Sequence, residues 1–138
     1  MAQIDVFTDK LELGHPELDR EHHLQVALVS ALAEAIERGQ PRLARRLLDQ
    51  LAGYAAAHFK GEELLMEVSR YEQLPIHRQE HQSFLAHIEE VRYLLGTSEH
   101  DLALPMAFDL RSGLASHIAS QDREFCQHAE ATRGTRSS

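Results

Sequence analysis

The sequence predicts an all-α protein, an up-down-up-down four-helix bundle with an extended N-terminal arm. The chain of 138 residues is long enough for one domain with its own core, and residues that favour helices dominate its composition. Four stretches repeat apolar residues at steps of three and four, with short connections between them. We therefore expect an arm over residues 1–16, the bundle over 17–128, and a flexible tail or the start of a linker over 129–138.

Proline and glycine mark the ends of the first two predicted helices. The first helical pattern begins at about Glu17 and ends at Gly39, a typical C-cap glycine. Pro41 can occupy the first turn of the second helix, whose apolar stripe continues to about Ser69.

The third and fourth helices are delimited in the same way. The third should start near Pro75 and end at Gly96, because the residue before a proline avoids helical backbone angles. Residues 99–104 are a connection or a ragged helix start, and Pro105 is again suited to a first turn. The fourth helix should then extend to about His128.

Charge and cysteine content narrow the partners and the compartment. The net charge is −8 with the His counted neutral, and no basic cluster is present, which argues against a nucleic-acid partner. The single Cys126 excludes an intrachain disulfide and a cysteine-based zinc site, and it suits a reducing compartment. There is no signal-peptide pattern and no apolar run of about 20 residues, so we expect a cytoplasmic protein without a membrane segment.

Two predicted helices each carry a pair of metal-ligand residues four positions apart. His58 and Glu62 form the first pair, and His77 and His81 form the second. Four residues turn an α-helix by about 400°, so both members of a pair project from nearly the same face. Two such pairs facing each other across a bundle interior predict a preformed metal site.

The first and fourth helices offer further ligands. His117 and Asp122 are five residues apart, which leaves about 140° between them on a regular helix. A local widening of the helix is needed to bring both inward, and such bulges favour functional sites. The first helix offers His22 or His23, and spacing alone does not choose between them.

This set of residues fits two metal ions. Five histidines and two carboxylates point inward, and imidazole suits iron, copper, zinc and nickel, whereas carboxylates can bridge two cations. The count leaves six ligands at one iron and an open position at the other. An oxo or hydroxo bridge would complete a di-iron pair.

The four blocks resemble the hemerythrins, especially the bacterial hemerythrin domains. The matching motifs are Asp19-x-x-His22, His58-Phe59-x-x-Glu62-Glu63, His77-x-x-Glu80-His81 and His117-Ile118-x-x-x-Asp122. The resemblance covers roughly residues 7–128 and implies a bundle around a non-heme di-iron centre. It selects His22 over His23, because only His22 keeps the spacing from Asp19.

The resemblance also implies how the ligands divide between two Fe2+/Fe3+ ions. Three histidines hold one iron: His77, His81 and His117. His22 and His58 hold the second, which has the open position for dioxygen, and Glu62 and Asp122 bridge the two.

The ligand pocket departs from the family's pattern. The family has an aliphatic residue where Gln25 stands, and tryptophan where Gly113 and Phe7 stand. The apolar lining is otherwise matched by Phe59, Leu114 and Ile118. A missing indole leaves a cavity or a solvent path unless neighbours collapse into it, and Gln25 could hold water or a bound ligand. In a wetter pocket the iron centre should oxidise faster to the diferric form, and anions or small ligands should be able to enter.

Residues outside these motifs have simpler expected roles. Four histidines lack a partner at ligand spacing and should be surface or hydrogen-bonded residues: His15, His87, His100 and His128. Glu63 and Glu80 should be solvated or bonded to a ligand histidine, and Cys126 should be a packed small residue.

The leading hypothesis is therefore reversible dioxygen binding, as a carrier or as an oxygen or redox sensor. The altered pocket and the tail favour sensing slightly, with a C-terminal output domain or partner protein reading the change. The alternative is an enzyme, namely a di-iron oxidase, a peroxidase or a nitric-oxide-handling protein with an open pocket. A third hypothesis is a metal store or a site for another divalent metal.

Overall fold

The computed structural model describes the backbone of residues 11–137 and the side chains of residues 11–131. Three helices, α1 (Pro16–Glu37), α2 (Pro41–Val68) and α3 (Leu74–Leu95), are followed by a 3-10 turn (His100–Leu102). The fourth rod is continuous and consists of α4 (Ala103–His117), a π-helical turn (Ile118–Asp122) and α5 (Arg123–Ser137). Pro105 lies in the first turn of α4, as predicted.

The four rods form a square bundle. Helix α1 packs against α2 and α4, and α3 packs against the same two neighbours. Because short connections join consecutive rods, neighbours are antiparallel, which confirms the up-down-up-down arrangement. The predicted apolar stripes meet inside, where residues such as Leu32, Leu48, Leu51 and Ile88 are fully buried.

The ends of α1 and α2 are set by residues with left-handed backbone angles. Gly39 has φ +68° and Gln40 N–H donates to Ala35 O at 2.9 Å, which confirms the predicted glycine cap. Arg70 has φ +57° at the corresponding place after α2. An L-residue with a side chain pays a steric cost for this conformation that glycine does not.

Only part of the predicted N-terminal arm can be examined. Residues 1–10, which include Phe7, lie outside the described residues. Leu11 is buried against the core, and the Asp19 carboxylate accepts hydrogen bonds from Leu13 N–H at 2.8 Å and Gly14 N–H at 3.2 Å. Asp19 therefore fastens the preceding segment to the first turn of α1.

The fourth rod is longer than the sequence pattern indicated. The helix end expected near His128 was wrong, because α5 continues to Ser137. No proline interrupts this stretch, Ala129 to Ala131 favour helix, and Gly134 costs only about 1 kcal/mol relative to alanine. Residues 129–137 thus extend the rod, and the domain limits themselves stay a prediction. Between residues 11 and 137, no helix has the length and apolar character needed to cross a bilayer.

Candidate metal centre

Seven side chains that can bind metal ions meet inside the bundle. They come from all four rods and all are buried: His22, His58, Glu62, His77, His81, His117 and Asp122. Burying so many polar groups is costly unless each finds a partner or a cation. These residues form two groups that share Glu62, and within each group all ligand atoms lie within 4.8 Å of one another. The first group is Glu62, His77, His81, His117 and Asp122, and the second is His22, His58 and Glu62.

The fourth rod widens where two of these side chains have to turn inward. Residues Ile118–Asp122 form a π turn, and His117 Nε2 lies 3.1 Å from Asp122 Oδ1. If this stretch were a regular α-helix, the five-residue spacing would put the two side chains on different faces. The predicted local widening is therefore confirmed.

The Asp122 carboxylate faces both groups of histidines. Its Oδ1 lies 3.1 Å from Nε2 of His77 and 3.1 Å from Nε2 of His117. Its Oδ2 lies 3.1 Å from Nε2 of His22. One oxygen thus serves each side of the cluster.

The Glu62 carboxylate is placed in the same way from the opposite rod. Its Oε1 lies 3.1 Å from His81 Nε2, while its Oε2 lies 3.6 Å from His58 Nε2 and 3.8 Å from His22 Nε2. The two carboxylates therefore divide the histidines into a three-histidine side (His77, His81 and His117) and a two-histidine side (His22 and His58). This is the division that the sequence resemblance implied.

The choice between the adjacent histidines of α1 follows from burial. His22 is 1% exposed and its Nε2 points at both carboxylates. His23 is exposed on the outer face of the same helix. His22 is therefore the histidine of this pair that lies in the cluster.

Three of the histidines are held from behind by carboxylates. The Nδ1–H donors and their acceptors are His58 to Glu21 at 2.5 Å, His81 to Glu63 at 2.7 Å, and His117 to Glu80 at 2.8 Å. A carboxylate accepts from Nδ1–H, so these contacts keep the proton on Nδ1 and leave Nε2 available for a metal ion.

Sequence reasoning found two of these three carboxylates. The sequence predicts that Glu63 and Glu80 are either solvated or bonded to a ligand histidine, and in the structure each accepts a hydrogen bond from one of the clustered histidines. Glu21 was missed. The available signal was its position beside His22 on the helix that packs against α2.

Several side chains of the cluster have pKa values far from their usual range. Burial lowers the pKa of His22 and of His117, but hydrogen bonds to Asp122 and the nearby negative charges outweigh it and raise both to about 9. Burial raises the pKa of the Asp122 carboxyl, yet the surrounding histidines hold that pKa well below its usual range. Protons on the two histidines thus offset the buried carboxylates until a cation replaces them.

The five predicted pocket residues differ in their exposure. Gln25 and Ile118 are completely buried. Phe59, Gly113 and Leu114 instead line an open cleft of about 310 Å³ between α2, α3 and α4, here called the Gly113 cleft. The pocket therefore divides into a closed interior part and an open part.

The Phe59 ring separates the cleft from the cluster interior. It stacks on the His81 imidazole with centroids 3.9 Å apart and ring planes 3° apart. His81 and His117 also border the cleft, so the open part reaches the three-histidine side. A Cβ added at Gly113 would meet no described atom within 4 Å. The missing side chain is thus one reason that the cleft stays open.

Gln25 is unusual within the closed part. Its side chain is completely buried, and neither Oε1 nor Nε2 has a hydrogen-bond partner among the described residues. It lies three residues after His22, about 4.5 Å along the helix axis. Most buried amides are bonded, so this group is placed to bond something other than the described residues.

An aromatic cluster closes the end of the bundle beyond the metal ligands. Met66, Tyr71 and Phe125 are buried together, and the Tyr71 ring contacts His77 with centroids 6.0 Å apart. Burial and the nearby Glu124 raise the pKa of Tyr71, so its phenol stays neutral.

The remaining candidates fall outside the cluster. His87 and His100 are exposed, His15 lies 3.9 Å from Glu130, and His128 contacts the Tyr71 ring. Cys126 is buried, and burial raises its pKa to about 12, so it is a packed thiol with little thiolate at neutral pH.

The fold and the cluster define a class of protein: a four-helix bundle whose interior carries a histidine and carboxylate site suited to metal ions. Residues 13–129 match the family described as Hemerythrin HHE cation binding domain. The chain belongs to the hemerythrin family.

Its relatives include three proteins named Bacteriohemerythrin. The protein from Stenotrophomonas maltophilia is 25% identical over 126 residues, covering 91% of this chain and 82% of the relative. The one from Pseudomonas paraeruginosa is 26% identical over 117 residues, covering 85% and 76%. The one from Ralstonia nicotianae is 28% identical over 117 residues, covering 85% and 82%.

Proposed function

We propose that this chain holds two iron ions joined by an oxo or hydroxo bridge and binds dioxygen reversibly. The observation that carries the proposal is the placement of Glu62 and Asp122, each with one oxygen toward the three-histidine side and one toward the two-histidine side. Carboxylates that face two nitrogen groups at once are what a bridged pair of cations requires.

The donor set fits iron. Imidazole nitrogens and carboxylate oxygens are ligands that iron accepts, and no described cysteine faces the cluster. His77, His81 and His117 would hold one ion, His22 and His58 the other, with Glu62 and Asp122 shared. When bound, such a pair supplies the electrons for reversible dioxygen binding.

The protein residues would control what reaches the pair. The two-histidine side has one nitrogen fewer, so an external ligand is expected there. Gln25, one helical turn from His22, can donate its amide N–H to that ligand, because its side chain is completely buried and has no partner among the described residues. The carboxylates behind His58, His81 and His117 would keep the imidazoles oriented.

The names of the relatives support this proposal, since three are called Bacteriohemerythrin. Whether this chain is a carrier or a sensor depends on what reads its state. We favour sensing in the cytoplasm, with an output domain or partner protein that responds to altered helix contacts.

Metal quantitation combined with an anaerobic optical spectrum tests the proposal. The expected result is about two irons per chain and a spectrum that cycles between colourless and coloured forms as dioxygen is removed and returned. His117→Ala should lose iron and colour, whereas His100→Ala, at an exposed histidine, should keep both. One zinc per chain, or colour that never returns, would count against dioxygen binding.

An enzyme is the second candidate, and the Gly113 cleft favours it. The cleft gives solvent-side access to His81 and His117, which a storage protein would be expected to shield. Peroxide turnover by the iron-loaded chain, lost in His117→Ala and kept in His100→Ala, would support an oxidase or peroxidase. A metal store is the third candidate and predicts metal uptake without either reaction.

A further inference from the structure

The Gly113 cleft has the size and composition of a binding site for an organic molecule. Its volume of about 310 Å³ lies at the lower end of the range of about 300–1,000 Å³ for small-molecule sites. Dioxygen and small anions need far less room. The cleft therefore calls for a larger occupant than the proposed function uses.

The inner surface of the cleft is apolar. Phe59, Phe84, Leu110 and Leu114 are buried residues that border it. Gly113 adds further room because a Cβ there meets no described atom within 4 Å. Such a surface favours an aromatic or aliphatic body.

The polar residues at the cleft favour a positive group. Glu80 and Asp109 border it together with Ser83 and His87, and no lysine or arginine is among the described residues that line it. The guanidinium of Arg111, on the same helix as Asp109, lies over the Phe108 ring at 5.2 Å. His117 also borders the cleft and already pairs with Glu80, so Asp109 supplies most of the negative charge left to attract an ammonium group and repel an anion.

We propose that the Gly113 cleft binds a small primary amine with an apolar body. The body would lie on Phe84 and Leu110, and the ammonium at the rim with Glu80 and Asp109. Binding uses residues of this chain alone and requires no metal ion, so it can be tested independently of the di-iron proposal.

Glu80 links the occupant of the cleft to the three-histidine side. Glu80 borders the cleft and also accepts the Nδ1–H of His117 at 2.8 Å. An ammonium that attracts this carboxylate would weaken its bond to His117. The occupant and the metal centre would therefore affect each other, and this coupling rests on the proposed function.

Calorimetric titration of the metal-free full chain with three probes of similar shape tests the binding. The probes are 2-phenylethylamine, 2-phenylethanol and 3-phenylpropionate. We expect the amine to bind at least about tenfold more tightly than the neutral and anionic probes. Equal dissociation constants for all three would overturn the proposal, because the rim charge would then have no role.

Matched variants locate the site. Gly113→Phe fills the cleft and should raise the dissociation constant of the amine at least about tenfold, whereas Gly53→Phe, at an exposed helical glycine with open space, should not. Asp109→Asn should weaken the amine but not the alcohol, and Asp101→Asn, which removes the same charge elsewhere, should change neither. Amine binding that survives Gly113→Phe would refute the cleft as its site.

The iron-loaded chain provides a second measurement. Saturating amine should shift the visible absorption of the loaded protein through Glu80 and His117. Intact amine binding without any shift would overturn the coupling alone. Loss of iron binding with intact amine binding would instead refute the di-iron proposal and leave the cleft site standing.

Discussion

His117 Nε2 lies 3.1 Å from Asp122 Oδ1, although Asp122 is the fifth residue after His117 along one rod. The π turn makes this contact by placing one more residue in a turn than an α-helix would. The extra residue changes the angle between the two side chains, so its removal and its duplication should have opposite effects.

Deletion of Ser120 should leave metal uptake intact. The shortened segment can form a regular α-helix with His117 and Asp122 four positions apart, about 40° from each other on one face. Insertion of one alanine after Ser120 should abolish uptake at Asp122. His117 and Asp122 would then be six positions apart, and on a regular α-helix this spacing leaves about 120° between their side chains. Metal analysis, with circular dichroism to confirm folding, measures both. A folded deletion variant without metal would show that the π turn itself is required.

Glu63→Gln should weaken metal binding by about 10–100-fold while the bundle stays folded. The amide still reaches His81 Nδ1 but no longer offers the negative charge that favours its present tautomer and orientation. Competition with a chelator gives the affinity. Glu67→Gln, at an exposed position of the same helix, is the control and should behave as the parent protein.

The metal-free chain should lose stability as the pH rises. The pKa values of His22 and His117 rise from 6.5 to about 9 on folding. Their protonation therefore stabilises the fold fully below pH 6.5, and this contribution disappears as the pH passes about 9. Urea unfolding at about pH 6 and about pH 10 should differ by on the order of a few kcal/mol.

The same protons should appear during metal uptake. At neutral pH, about two protons per chain should be released as cations replace those on His22 and His117. An indicator dye in weak buffer measures the release. Asp122→Asn removes the carboxylate that raises both pKa values, so it should reduce the release and flatten the pH dependence of unfolding.

Gln25→Leu should stabilise the metal-free chain by about 1–3 kcal/mol, because it removes a buried amide that has no hydrogen-bond partner among the described residues. Gln50→Leu, at an exposed position of α2, should change stability little. In the iron-loaded chain Gln25→Leu should speed the loss of the oxygenated spectrum, since the bound ligand would lose the amide N–H that Gln25 donates. Unchanged urea midpoints for Gln25→Leu would indicate that this amide is already satisfied.

Arg70→Gly should stabilise the chain by about 1 kcal/mol, because glycine adopts the left-handed conformation without a Cβ clash. The same change at Arg46, exposed within α2, should destabilise by about 1 kcal/mol. Thermal unfolding of the two variants compares the signs directly. If both variants were destabilised equally, contacts of the Arg70 side chain would stabilise the fold by more than its left-handed backbone conformation destabilises it.

Features that depend on spacing within one helix could be predicted from the sequence. The inward pairs His58/Glu62 and His77/His81 and the widening before Asp122 follow from angles around a single axis. The choice of His22 over His23 needed the resemblance. The two residues are adjacent, and the spacing of apolar residues in α1 does not show which of them points inward.

Features that depend on how helices face each other could not be predicted. The contact between Glu21 and His58 is set by the register of α1 against α2, which no local pattern encodes. The sequence predicted that Gly113 and Gln25 contribute to one pocket, and no local pattern indicates that Gly113 borders an open cleft while Gln25 is completely buried. The predicted fourth helix was too short because the residues after His128 are small and polar. The helix nevertheless continues, since no strong stop signal follows His128.

The contact between His22 Nε2 and Asp122 Oδ2, 3.1 Å apart, joins residues that are almost a whole domain apart along the chain. Cations shared there would act as a removable cross-link that closes a loop of about 100 residues, for which the chain-entropy treatment of a disulfide gives about 4.7 kcal/mol. The metal-free chain would then be less stable than the metal-loaded chain by about this amount, and proteases would digest it faster until metal binds.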